Sequence, residues 1–131
     1  MAVAIDSSVL VRYFTKDNEE LFRKASTMIT EAKPNSILLD RVIIAEFGYV
    51  LRSVYELSKK QVVLIYESLL SNNIFSIPDR ELLETTVELF NKEKPLSFED
   101  CWLLALKNSD KVLDILTFDD GILKRLNTAS N

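Results

Sequence analysis

The sequence predicts an α/β fold in which a short parallel sheet is flanked by helices on both faces. Short apolar runs over residues 3–5, 37–39, 74–77 and 112–118 alternate with longer segments of helical periodicity. This alternation is typical of parallel strands joined by covering helices. The three prolines, Pro34, Pro78 and Pro95, lie between the periodic segments, where residues that break regular structure belong. With 131 residues, 47% of them hydrophobic, the chain is expected to form a single domain over residues 1–131.

In the first half of the chain, continuous apolar runs predict strands and amphipathic spacing predicts helices. The run Val3–Ile5 predicts the first strand, and the spacing of apolar residues over 7–14 predicts a helix directly after it. Asp17 is predicted to cap a second helix that ends near Lys33. The second strand is predicted at Ile37–Leu39, and a long helix is predicted over residues 41–55.

The second half of the chain continues the same alternation. Ser58 and Gln61 form the pattern of a capping box, which predicts a helix over 59–70. A third strand is predicted over 74–77. Asp79 is predicted to cap the next helix, and Ser97 to open another that passes through Leu106. A fourth strand is predicted at Val112–Phe118 and a short last helix over 121–126.

Several residue types are too scarce for the common catalytic sites. The sequence contains no histidine, which excludes Ser-His-Asp and Cys-His catalysis and HExxH zinc sites. The two glycines, Gly48 and Gly121, are too few and too far apart for a phosphate-binding glycine loop. The single cysteine, Cys101, cannot form an internal disulfide, and the apolar runs are shorter than a membrane span. We therefore expect a cytoplasmic protein whose chemistry depends on carboxylates, Lys, Arg, hydroxyls and bound metal.

Two aspartates directly follow predicted strands. Asp6 ends the first apolar run and Asp119 ends the last. Parallel sheets place functional residues just beyond the carboxyl ends of their strands. The alternatives are structural: Asp6 is also suited to cap the following helix, and Asp119 to a turn or a cap. Asp120, the neighbour of Asp119, is an alternative to it at this position.

Two further acids lie in predicted helices. Glu46 belongs to a helix that is apolar almost all round, so burial of its carboxylate would cost several kcal/mol without a partner. The alternative is that Glu46 points outward at the edge of the apolar stripe and is solvated. Asp100 follows Ser97 by three residues, so it is also suited to a capping box in the first turn of its helix.

These four acids predict a metal site if they converge at one edge of the sheet. Carboxylates within a few ångströms of one another repel, so such a cluster must bind protons or cations. Oxygen ligands without histidine or cysteine favour Mg²⁺, or Mn²⁺, over zinc. The predicted ligands are Asp6, Glu46, Asp100 and Asp119.

Four segments resemble the motifs of the PIN domain, and specifically of the small VapC-type toxins of toxin–antitoxin systems. The segments are residues 4–14, 42–51, 97–105 and 116–120, and each contains one of the four acids. The resemblance implies a PIN-like fold, with metal ligation and catalysis by those acids. It also implies that Ser7 and Ser8 form a small polar pair beside the site, and that Ser8 or Thr117 orients a ligand or water. Ser97 departs from the motif, since many relatives carry a further acid there.

The resemblance also implies an activity and partners. The activity is endoribonuclease cleavage of RNA that depends on Mg²⁺ or Mn²⁺, with a metal-activated water attacking the phosphodiester. The partners are a protein antitoxin and a second copy of the chain in a homodimer. The net charge is −4, so RNA binding needs a local basic patch. Arg12 and Lys16, in and just after the first helix, are the first candidates for RNA contacts.

Two other functional classes fit parts of the sequence. A signalling receiver domain also carries acids at strand ends, and Asp40 would be its phosphate-accepting residue. That class needs an acidic pair after the first strand and a lysine near the last, whereas Asp6 has no acidic neighbour and Asp119 takes the place of the lysine. The other alternative is a non-catalytic interaction module that binds metal for stability or docking.

Overall fold

The computed structural model describes residues 1–129, which form three strands and seven helices. Helices separate consecutive strands along the chain, and all strand pairs are parallel. This arrangement confirms the predicted α/β class. The chain divides into two compact units, residues 1–78 and residues 79–131. The expectation that residues 1–131 act as a single domain stays a prediction.

The first unit contains the sheet. Its strands are β1 (Val3–Ala4), β2 (Ile37–Leu38) and β3 (Phe75–Ser76), in the order β1-β2-β3. Ala4 pairs with Leu38, and Leu38 pairs with Ser76. The apolar residue that follows each strand is also buried; these residues are Ile5, Leu39 and Ile77. Each predicted apolar run is therefore longer than the two residues that form the strand.

Four helices complete the first unit: α1 (Ser7–Thr15), α2 (Glu19–Thr30), α3 (Arg41–Ser53) and α4 (Lys59–Ser71). The predicted capping box of Ser58 and Gln61 is present at the start of α4. The predicted cap of α2 was wrong by one residue. Asn18 accepts the capping hydrogen bond from the Leu21 amide at 3.0 Å, whereas Asp17 accepts hydrogen bonds from Arg12 and Tyr55.

Helices α3 and α4 approach closely at Gly48. The Tyr66 hydroxyl donates a hydrogen bond to the Ile44 carbonyl oxygen at 3.1 Å. A Cβ atom on Gly48 would lie only 1.8 Å from that hydroxyl oxygen. Gly48 therefore leaves the space that the buried Tyr66 ring and hydroxyl occupy between the two helices.

The second unit contains α5 (Arg80–Lys92), α6 (Phe98–Asn108) and α7 (Asp120–Ala129). Phe90 of α5 packs edge-to-face on Phe98 of α6, with ring centroids 6.0 Å apart. The prediction that Asp79 caps α5 was only half right. Asp79 occupies the capping position with a left-handed backbone, φ 53°, and its side chain makes no capping hydrogen bond.

The predicted fourth strand, Val112–Phe118, is absent from the structure. Residues 112–118 form neither helix nor strand, and the side chains of Leu116 and Phe118 are fully exposed. An apolar run is not sufficient for a strand, because a strand also needs a hydrogen-bonding partner. No residue of the described part of this unit, 79–129, forms a strand. Helix α7 begins one residue before the predicted position, at Asp120.

All helices in the described part of the chain are too short or too polar to cross a lipid bilayer.

Candidate functional site

Asp6 lies between β1 and α1, as the sequence predicted. Its Oδ2 atom accepts hydrogen bonds from the Ser8 hydroxyl at 2.5 Å and from the Ser8 amide at 3.2 Å. These bonds, the hydroxyl bond first, lower the pKa of Asp6 below its ordinary value of 3.8. The side chain is exposed. Asp6 is therefore an ionised, accessible carboxylate that also caps α1.

Glu46 lies on α3 and is an exposed residue. Its Oε2 atom accepts a hydrogen bond from the Ser7 hydroxyl at 3.0 Å. Ser7 is buried, with 8% of its surface exposed, and it is the first residue of α1. This bond ties Glu46 to the residue next to Asp6, although the two are far apart in sequence.

Asp40 occupies a position equivalent to that of Asp6. It follows β2 and caps α3, with its Oδ1 atom accepting a hydrogen bond from the Val42 amide at 3.0 Å. Asp6 and Asp40 each lie two residues after a residue of the paired set Ala4 and Leu38. The backbones of both acids therefore leave the sheet at the same edge. Asp40 directly follows a predicted strand in the sequence, as Asp6 does. From the sequence, Asp40 is considered only for the receiver alternative.

Asp100 lies in the first turn of α6 within a complete capping box. Its amide donates to the Ser97 hydroxyl oxygen at 3.1 Å, and its Oδ2 atom accepts from the Ser97 amide at 3.2 Å. The capping box that is the structural alternative for Asp100 is therefore formed. One oxygen of the half-buried carboxylate is engaged in it.

Asp119 directly precedes α7. Its Oδ1 atom accepts a hydrogen bond from the Ile122 amide at 3.0 Å, and its own amide donates to the Thr117 hydroxyl oxygen at 2.9 Å. Asp120 is instead the first residue of the helix. Asp119 thus takes the capping position, and Thr117 holds its backbone.

A divalent cation would need several of these carboxylates together. Within residues 1–129, no group of three or more Asp, Glu or Cys side chains is placed to hold a metal ion. The structure links Asp6 to Ser8 and Glu46 to Ser7. The donor chemistry nonetheless fits Mg²⁺ or Mn²⁺, because every candidate supplies carboxylate oxygen and Asp6 is ionised and exposed.

The two candidate RNA-binding cations both have intramolecular partners. Arg12 pairs with Asp17 at 2.8 Å between Nη1 and Oδ2. The Nζ atom of Lys16 lies 5.2 Å from the centre of the Phe22 ring, in a cation–π arrangement. A phosphate group would have to compete with these partners.

Comparison with known proteins identifies a matching family. A family model described as "PIN domain" matches residues 3–127, a range that includes all four predicted acids. Searches of curated proteins and of solved structures return no match.

Proposed function

The chain belongs to the PIN domain family, and on that premise we propose that it is a divalent-metal-dependent endoribonuclease, the toxin of a toxin–antitoxin pair. PIN domains are generally metal-dependent nucleases. The observation that carries the proposal is the family match, because it spans almost the whole chain and all four acids. The absence of histidine agrees with hydrolysis that uses no covalent nucleophile.

In this proposal, Asp6, Glu46, Asp100 and Asp119 hold the metal. A bound Mg²⁺ or Mn²⁺ supplies activation of water and neutralises charge at the phosphate. The protein's contribution is to orient the carboxylates. Asp6, Asp100 and Asp119 each accept a hydrogen bond from a backbone amide at a helix N-terminus. The partial positive charge at a helix N-terminus attracts a carboxylate, so these hydrogen bonds help to fix its orientation.

The hydroxyl groups beside the acids orient them. Ser8 holds Asp6, Ser7 holds Glu46, and Thr117 holds the backbone of Asp119. Hydrogen bonds of this kind restrict the conformations of a metal-binding carboxylate in advance, so metal binding costs less conformational entropy.

The proposed partners are RNA, a protein antitoxin and a second copy of the chain, in the cytoplasm. Exposed apolar side chains on α3 and α4 support burial against another protein; they are Val42, Tyr49 and Leu64. Arg12 and Lys16 stay the first candidates for phosphate contacts, in competition with Asp17 and Phe22.

Cleavage of a mixed RNA substrate tests the proposal. The wild-type protein is expected to cut RNA in Mg²⁺ or Mn²⁺ and not in excess EDTA. Asp6→Asn is expected to lower the rate at least ~100-fold, since a catalytic metal loses an anionic ligand. Asp110→Asn is the matched control: Asp110 is exposed and has φ 56°, a conformation that asparagine also tolerates. Equal rates for wild type and Asp6→Asn would refute the role of Asp6, and cleavage in EDTA would refute metal dependence.

A further inference from the structure

Arg125 of α7 makes a half-buried ion pair with Glu93, which follows α5. Its Nε and Nη2 atoms donate to the same oxygen of Glu93, Oε2, at 3.1 and 2.8 Å. The exposed fractions of the two side chains are 26% and 23%, against 71% and 81% for the surface pair of Arg23 and Glu19. The geometry of the Arg125 pair is therefore much more restricted than that of an exposed pair.

The same guanidinium also binds the first turn of α7. The Nη1 atom of Arg125 donates to the carbonyl oxygen of Gly121 at 3.1 Å. One planar group thus joins the residue after α5 to the residue that lies two positions after Asp119. A lysine has a single point of charge, so it cannot reproduce this fixed set of three bonds.

Gly121 lies close to both the Arg125 guanidinium and the Asp119 carboxylate. A Cβ atom on Gly121 would lie 3.0 Å from Oδ1 of Asp119, 4.0 Å from Nη1 of Arg125 and 2.9 Å from Cδ2 of Leu96. Oδ1 of Asp119 accepts from the Ile122 amide, and the Asp119 carbonyl accepts from the Leu123 amide at 3.0 Å. The orientation of the Asp119 carboxylate therefore depends on the placement of this first turn.

We propose that Arg125 is a positioning residue for Asp119, acting through the Gly121 carbonyl and the Glu93 carboxylate. This inference rests on the proposed function, in which Asp119 is a metal ligand. Arg125 contacts neither metal nor RNA in this account. Arg125 fixes the first turn of α7, which orients Asp119. Without Arg125, metal binding has to order that turn itself, and the entropy cost weakens the affinity for the metal.

Metal binding and amide exchange test the inference in the full chain. Arg125→Met is expected to weaken Mn²⁺ binding, measured by calorimetry, about 10-fold, the lower end of the effect seen for residues that orient ligands. Hydrogen exchange at the Ile122 amide should accelerate about 10-fold without Mn²⁺, whereas exchange in α5 should not change. Arg125→Lys should fall between Arg125→Met and wild type. Arg23→Met, which removes the exposed ion pair of α2, is the matched control and should match wild type in both measurements.

A second variant guards against loss of folding in Arg125→Met. Gly121→Ala keeps Arg125 and places a methyl group against the Asp119 carboxylate, so it should also weaken Mn²⁺ binding. In cleavage assays, each variant should need more Mn²⁺ for half-maximal rate, with the rate at saturating Mn²⁺ nearly unchanged. A stabilising role alone would lower the melting temperature without this shift.

The outcomes separate the inference from the proposed function. If wild type binds Mn²⁺ and the folded Arg125 variants bind it equally tightly, the positioning role is refuted while the nuclease proposal stands. If wild type itself binds no Mn²⁺ and cuts no RNA, the proposed function is refuted and the positioning role with it.

Discussion

Adjacent serines at the start of α1 serve two different carboxylates. Ser8 donates to Asp6, and the buried Ser7 donates to Glu46 of α3. Two consecutive helical residues point in different directions, about 100° apart, which lets one short segment reach both acids. The family resemblance identified the pair as small and polar. Which acid each hydroxyl contacts depends on the packing of α1 on α3, and that is not visible in the sequence.

Gly48 gives a test of close helix packing at one residue. Gly48→Ala places a Cβ atom 1.8 Å from the Tyr66 hydroxyl oxygen, so the tyrosine must move. Overpacking of this kind costs about 1–3 kcal/mol, more than the ~1 kcal/mol that alanine gains over glycine in a helix. We expect a net loss in the free energy of unfolding, measured by urea denaturation.

A double-mutant cycle provides the control for Gly48. Tyr66→Phe alone loses the hydrogen bond to the Ile44 carbonyl, at a cost of about 1 kcal/mol. In Gly48→Ala/Tyr66→Phe the clash with the hydroxyl is gone, so the double variant should be less destabilised than the sum of the single changes. Strict additivity would contradict the steric account.

Helix starts were predictable because their signals are local. Ser58 and Ser97 each cap the helix that the sequence assigned to them, through atoms three residues away. The error at α2 came from a distant contact. Asp17 and Asn18 are both good capping residues, and Tyr55, 38 positions away, takes the hydrogen-bonding capacity of Asp17.

The prediction of a fourth strand was wrong for a related reason. The run Val112–Phe118 has the composition of a strand, but pairing is a property of two segments and not of one. The strands that formed, such as β1 and β2, have partners in their own unit. Helix α7 has its cap, Asp119, immediately before it and was predicted to within one residue at its start.

The contact between the end of α1 and the residues after α3 predicts a pH dependence. Hydrogen bonds from Tyr55 and Arg12 lower the pKa of Asp17 below its ordinary value of 3.8. Ionised Asp17 thus stabilises the folded state above pH 3.8, and this contribution is lost as the pH falls through the lowered pKa. The hydrogen bond to Asp17 raises the pKa of Tyr55 above 10.0, so a second loss occurs as the pH rises through that raised value.

Comparison with Asp17→Asn measures this contribution. The difference in unfolding free energy between wild type and Asp17→Asn should be constant from pH 5 to pH 9 and should shrink below pH 3.8. Glu20→Gln, on the exposed face of α2, is the control and should show a much smaller difference. A difference for Asp17 that does not vary down to acid unfolding would refute the network.

For the whole molecule, the family match bears on the functional classes that the sequence left open. The four acids, their order and their spacing were identified from the sequence because each motif is a short continuous segment. A convergence of the four acids in space cannot be predicted from these motifs, since it depends on how distant segments pack. The match to the PIN family over residues 3–127 favours the nuclease over the receiver domain, in which Asp40 would accept phosphate.

With a net charge of −4, the chain needs a local group of cations to bind RNA. Arg12→Ala should lower the slope of log affinity against log salt by about one, as expected for one lost phosphate contact. Asp17→Asn releases Arg12 from its ion pair and should strengthen RNA binding. Filter binding with metal-free protein separates these effects from cleavage. An unchanged slope in Arg12→Ala would exclude Arg12 from the RNA contact.

The most direct test of the account is Mn²⁺ binding, measured by calorimetry on wild type, Asp6→Asn and Asp119→Asn. The account predicts that wild type binds Mn²⁺ and that each variant binds it at least ~10-fold more weakly, because both carboxylates are ligands. Asp110→Asn should bind like wild type. Equal affinity of all four proteins for Mn²⁺, or no binding by folded wild type, would contradict the central claim that these acids form a metal site.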